Sequence, residues 1–174
     1  MKNKSTIIVL IVLFVALFLG ACSTNESEVR MKINFNENWK FSLSDSSAYQ
    51  LENYADNNWR TLNLPHDWSI EGLVDEKATT GGSGGYLPTG TGWYRKHFEI
   101  NKAQIDKIIQ VQFDGVYMNS DVWINGHHLG NRPFGYIGFQ YDLTPFLNFG
   151  DADNVVAVRC DNADQPNSRW YSGS

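Results

Sequence analysis

The chain has 174 residues, room for one ordinary domain with a leader and too little for an enzyme barrel of ~250 residues beside it. Its net charge is −5 and its pI near 5.3, with Lys and Arg scattered rather than clustered, which excludes a nucleic-acid footprint. Aromatic side chains make up 14% of the residues, enough to serve contact as well as filling.

Lys2 and Lys4 precede an apolar run of thirteen residues, Ile7 to Leu19. That run is shorter than the ~18 residues of a spanning helix and reads as the core of a signal peptide. The "LGAC" that follows, Leu19 to Cys22, resembles the bacterial lipoprotein cleavage box, which makes Cys22 the lipid-carrying residue. The alternative is an ordinary secretory leader with a cysteine near its cleavage site. The expected divisions are a leader over 1–21, a polar tether over 22–32 without periodicity, and a domain over 33–174. The expected location is the bacterial envelope, periplasm or outer membrane, with the membrane as a partner through Cys22. If Cys22 is acylated, Cys160 has no intrachain partner. It follows Val156 and Val158 at period two, so it is expected as a buried thiol with a raised pKa.

From residue 33 on, alternation dominates and no helical period extends over three turns. Trp39, Phe41 and Leu43 fall on one side of a first strand, and Leu62 and Leu64 share a side of a second. Tyr94, Phe98 and Ile100 align with Lys96 between them, and Ile109, Val111 and Phe113 align in "IIQVQF". Val122 and Ile124 lead into Asn125-Gly126, a two-residue hairpin signal because a type I′ turn needs positive φ at both positions. "TPFL" is the one helix-like piece, with Thr144 placed to cap and Pro145 first in the helix, and "VVAVRC" supplies a late strand. Short strands of period two between polar turns predict an all-β antiparallel sandwich or jelly roll.

Two irregular stretches interrupt this rhythm: Pro65 to Thr91, long enough to suggest a function, and Asp161 to Ser174. The glycines of the first do not make a phosphate loop, since neither Gly-Lys-Ser/Thr nor G-x-G-x-x-G occurs at the needed spacing. Both stretches mix aromatics with hydrogen-bonding groups, as binding of a hydroxyl-rich ligand requires: His66, Asp67 and Trp68 in one, Arg169, Trp170 and Tyr171 in the other. Each residue also has a plainer role open to it: Asp67 capping a turn, Trp68 plugging the sandwich end, Arg169 pairing with a carboxylate.

Nothing singles out a catalytic pair of carboxylates, because Asp114, Asp121 and Asp142 all suit turn or solvated positions. The four histidines lack a ligand spacing, so no metal is expected, and no cofactor motif occurs. No G-x-S-x-G elbow is present.

Five ordered blocks, "FNENWKF", "LPHDWSIEG", "GYLPTGTGWYRKHFEI", "VQFDGVYMNSDVWINGHHLGNRPFGYIGFQYDLT" and "SRWYSGS", resemble the sugar-binding jelly roll of glycoside hydrolase family 2, most like exported bacterial β-galactosidases. The resemblance implies that the last block runs on into an immunoglobulin-like domain and then a (β/α)8 barrel carrying both catalytic glutamates, so that this chain breaks inside a motif. It implies no catalytic residue here, since Asn25-Glu26 and Asn36-Glu37 lack the barrel context of the family's acid/base pair. It implies Asp67 and Arg169 as groups that bind sugar hydroxyls or position the loop, with a glycan, expected as a β-galactoside, as the partner. Some family members have Asp near the position of Arg169, which leaves the preferred sugar open. A free-standing glycan-binding lipoprotein and a purely structural sandwich are the other readings.

Overall fold

The computed structural model describes residues 30–163. The chain divides into a short unit, 1–34, and a body from Phe35 onward; the described part of the first, 30–34, has no regular secondary structure. The apolar leader, Cys22 and the terminal "SRWYSGS" with Arg169 lie outside the described residues.

Eight strands build the body: β1 (Trp39–Ser42), β2 (Arg60–Leu62), β3 (Thr91–Glu99), β4 (Gln110–Phe113), β5 (Ser120–Ile124), β6 (His127–Arg132), β7 (Phe139–Asp142) and β8 (Asp153–Asp161). Six form one sheet in the order β2-β1-β3-β8-β5-β6, and β4 and β7 form a second. Every pairing is antiparallel. Among the described residues the only helical pieces are short 3-10 turns. The expected all-β antiparallel sandwich is the observed fold.

Period two sends alternate side chains to opposite faces of a strand. Trp39 and Phe41 of β1, Tyr94 of β3, Val122 and Ile124 of β5, and Val156, Val158 and Cys160 of β8 meet Val111 of β4 and Phe139 of β7 in one buried cluster. Leu62, Leu64, Phe98 and Phe113 border it, as their alternation predicts. Leu43 does not join: β1 ends at Ser42, and Leu43 is exposed. The β5–β6 hairpin turns on Asn125 and Gly126, both at positive φ, 47° and 79°. Asn125 also braces the neighbouring strand, its side chain accepting from Val155 N and donating to Asn154 Oδ1, both at 2.8 Å. Thr144 departs from its expected role. It lies inside the 3-10 turn Thr144–Phe146, whose cap is Leu143, and its hydroxyl instead accepts from Ile109 N at 2.8 Å.

The large sheet is also covered on its other side, which alternation alone did not indicate. Trp93 and Trp123 stack there at 5.1 Å beside the small Ala157 of the strand between them, with Tyr49 and Trp59 packed against the pair. Arg95 on the same face is fully buried. Its Nε donates to Asp56 Oδ2 at 2.7 Å, and Nη1 and Nη2 donate to the carbonyls of Tyr49, Leu51, Glu52 and Tyr54. One guanidinium thus ties the segment that follows β1 to the back of the sheet.

Candidate functional site

The stretch between β2 and β3 returns along the end of the sandwich, and its first turn is held firmly. Trp68 is buried, stacked near Phe41 with centroids 6.0 Å apart, and it fills the space a side chain at Gly92 would need. The plug role open to Trp68 is therefore realised. Its indole nitrogen is buried with no hydrogen-bond partner among the described residues.

Asp67 is partly buried just before the 3-10 turn Ser69–Glu71, and its Oδ1 accepts from Ser69 N at 2.9 Å. This is an Asx turn, the plainer of the two roles open to Asp67, and it fixes where the carboxylate stands. Ser69 is buried in turn, with its Oγ accepting from Asn162 Nδ2 at 3.3 Å. Asn162 also exchanges bonds with Gly90, through Oδ1 to Gly90 N and through its own N to Gly90 O. A single residue just past β8 therefore straps both ends of the long loop to the sandwich.

Beside Asp67, His66 joins three other groups. His66 Nε2 lies 2.7 Å from Arg60 Nη2 and 3.2 Å from Glu71 Oε1, and Nδ1 lies 2.8 Å from the Tyr94 hydroxyl. Arg60 Nη2 also faces both oxygens of Glu71, at 2.7 and 3.0 Å. The Arg60 hydrogen bond is the main reason the Glu71 carboxyl is held below its ordinary range. Burial pushes the Tyr94 phenol far above its own, so it stays protonated and serves as a hydrogen-bonding group. The sequence marks neither Arg60 nor Glu71, and it marks Tyr94 only as one of the aligned residues of its strand. Arg60 and Glu71 flank the "HDW" triplet at distances that only the turn geometry brings together.

The outer part of the loop is different. Ile70, Leu73, Val74 and Tyr86 all point outward, Leu73 at 92% exposure. Among the described residues no group of three or more His, Cys, Asp and Glu side chains is arranged to hold a metal ion. The Cys160 thiol is buried, donates to Tyr117 O at 2.8 Å, and is pushed up to about 12 by burial, as its apolar strand predicts.

The arrangement offers a carboxylate on a rigid turn, a hydrogen-bonded imidazole and an ion pair at one rim of a sandwich. It suits holding a polar ligand. Residues 32–173 match the family described as glycosyl hydrolases family 2, sugar binding domain. The chain is 55% identical over 156 residues to the β-galactosidase BoGH2A of Bacteroides ovatus, covering 89% of this chain and 18% of that protein. It is 39% identical to a β-glucuronidase of Formosa agariphila over 78% of this chain and 14% of that one. The crystal structure of a β-glycosidase from Bacteroides vulgatus superposes with a TM-score of 0.78 at 49% identity, over 82% of this chain and 18% of the other. The chain thus spans less than a fifth of the length of these relatives.

Proposed function

Since the chain belongs to glycoside hydrolase family 2 and carries the sugar-binding domain of that family, we propose that it is the accessory part of an exported hydrolase of O-glycosyl bonds, of β-galactosidase type, that serves carbohydrate metabolism. The observation that carries this reading is the 55% identity to a β-galactosidase across 89% of the chain. The catalytic carboxylates belong to a barrel elsewhere in the longer polypeptide, and an immunoglobulin-like domain connects the two. This part shapes the sugar subsite.

Asp67 and Arg169 are the residues proposed to meet sugar hydroxyls or to set the loop that does. The Asx turn at Asp67 supports this, because a hydroxyl acceptor needs a fixed position to discriminate between epimers. The outward Ile70, Leu73 and Val74 support a loop covered by another domain of the same polypeptide. The lipid on Cys22 would hold the enzyme at an envelope membrane.

Two measurements test the proposal. The 174-residue chain alone should not cleave a nitrophenyl β-galactoside, and turnover by it would overturn the accessory role. In the full-length enzyme Asp67→Ala should lower kcat/KM about tenfold or more and change the ratio between galactoside and glucoside substrates. A purely structural Asp67 would lower stability and leave that ratio alone. If the reading frame ends after residue 174 with no barrel following, the free-standing binder takes its place.

A further inference from the structure

We propose that the outer face of the six-stranded sheet carries a second binding site, a groove that takes a neutral pyranose, separate from the loop that holds Asp67. This goes beyond the reading above. The side chains of that loop meet Tyr94 and Phe41, on the core side of the sheet, whereas the groove is lined by Trp93 and Trp123 on the opposite side.

The groove has a volume of about 650 Å³, within the range of small-molecule sites and ample for one sugar ring. Its floor follows from strand register. Trp93, Arg159 and Asp121 stand opposite one another on β3, β8 and β5, so a single cross-strand row puts an indole, a guanidinium and a carboxylate on the same side, the indole buried at the base of the groove and the two charged groups partly exposed. Asp45 and Gln50, on the segment that Arg95 pins over the sheet, form the facing wall. Trp123 contributes an apolar edge beside His128.

The charges select the ligand. Arg159 is already spent, bonded to Asp45 at 2.8 Å and to Asp161 at 3.0 Å. Three carboxylates, Asp45, Asp121 and Asp161, then stand against one guanidinium and the His128 imidazole, so an anion is disfavoured. What this site lacks is donors to its acceptors. The two oxygens of Asp121 accept from different partners, His128 Nε2 at 2.8 Å and Asn131 Nδ2 at 3.1 Å, which leaves lone-pair capacity on each. Adjacent hydroxyls of a pyranose donate in pairs with a spacing that fits the two oxygens of one carboxylate, and the amide of Gln50 supplies both a donor and an acceptor across the groove. The same network fixes these groups before a ligand arrives: Trp93 Nε1 donates to Asp45 Oδ1 at 2.7 Å, and Arg159 clamps Asp45 from the other side.

The indole N–H groups make the test direct. The chain labelled with ¹⁵N is titrated with methyl β-galactopyranoside, methyl β-glucopyranoside and methyl β-glucuronide while the tryptophan side-chain signals are followed. A neutral glycoside should shift Trp93 and Trp123 saturably, with Kd on the order of 1 mM, and leave Trp39 and Trp68 in place. Asp121→Ala should weaken this about tenfold, Gln50→Ala should weaken it without disturbing the fold, and Asp67→Ala should not change it. Non-saturating shifts, saturation centred on Trp68, equal binding by Gln50→Ala, or a glucuronide bound as well as the neutral sugars would each overturn the proposal. None of these outcomes depends on hydrolysis, so failure here leaves the accessory role of the chain standing.

Discussion

Replacing Arg95 with Met is the most informative single perturbation of the fold. The side chain is fully buried and paired with Asp56, itself 4% exposed, and it satisfies four backbone carbonyls between Tyr49 and Tyr54. Met is close to Arg in volume, so the change empties little space and removes charge and donors. Breaking one side of a buried ion pair costs about 3–5 kcal/mol, and the Asp56 carboxylate then keeps only its 2.9 Å contact with His97 Nε2. For a domain of this size each kcal/mol moves the melting temperature by ~2–4 °C, which gives a drop of roughly 6–20 °C. Differential scanning calorimetry measures the drop, and near-ultraviolet circular dichroism should lose intensity as Tyr49 and Trp59 come off Trp93. Adding Asp56→Leu removes the buried carboxylate and should recover part of the loss, but not all of it, since the carbonyls still lack their donor and His97 loses its contact with Asp56. A melting temperature for Arg95→Met within about 2 °C of the parent would refute the reasoning, for it would mean that the covering segment is held by packing alone.

Three further outcomes follow from the same structure. Gly92→Ala places a methyl group 2.8 Å from Trp68 Cζ3 and 3.0 Å from Phe41 Cε2, both on buried rings, so urea denaturation should show a loss of about 1–3 kcal/mol, and an unchanged midpoint would contradict the packing. Burial works to lower the His97 pKa, yet the Asp153 and Asp56 carboxylates hold it raised above 6.5; at Asp56 burial works upward, and His97 and Arg95 hold it lowered below 3.8. The stability from His97 is therefore complete below pH 6.5 and lost as pH rises through its higher folded value, while that from Asp56 is complete above pH 3.8 and lost as pH falls through its lower one. His97→Gln should flatten the decline of urea midpoints above pH 6.5, and an unaltered slope would exclude His97 as its source. With Cys22 replaced by Ser, Cys160 should resist a thiol reagent at pH 8 until denaturant is added, and rapid labelling of the folded chain would show that the thiol is accessible.

The strand pattern was open to reading because half of each strand faces one core, and period two marks that half directly. Val156, Val158 and Cys160 illustrate it, as do Val122 and Ile124, and Asn125-Gly126 announced its turn through backbone chemistry alone. The pattern failed where burial depends on a distant partner. Arg95 carries no local mark of burial in "WYRKHFEI", and nothing in that stretch reveals the Asp56 carboxylate and the four carbonyls that bury it. Leu43 fits the alternation of Trp39 and Phe41, but the strand stops one residue short of it. Residue type and neighbours mark Asp67 in the sequence, and the structure adds the turn that orients it. The partners that complete its surroundings, Ser69 and Asn162, lie 93 positions apart in the chain, beyond the reach of any local signal.

The position of β8 has a consequence for how the molecule is made. It is the last described strand in the chain, yet it sits in the middle of the large sheet, joining β3 on one side to β5 on the other. Until it leaves the ribosome, the halves built on β3 and β5 each present an open edge with unsatisfied backbone groups. Synthesis must therefore run almost to Asn162 before the sheet closes. In that interval the emerging polypeptide keeps its two part-sheets apart, with strand edges open to pairing with other chains.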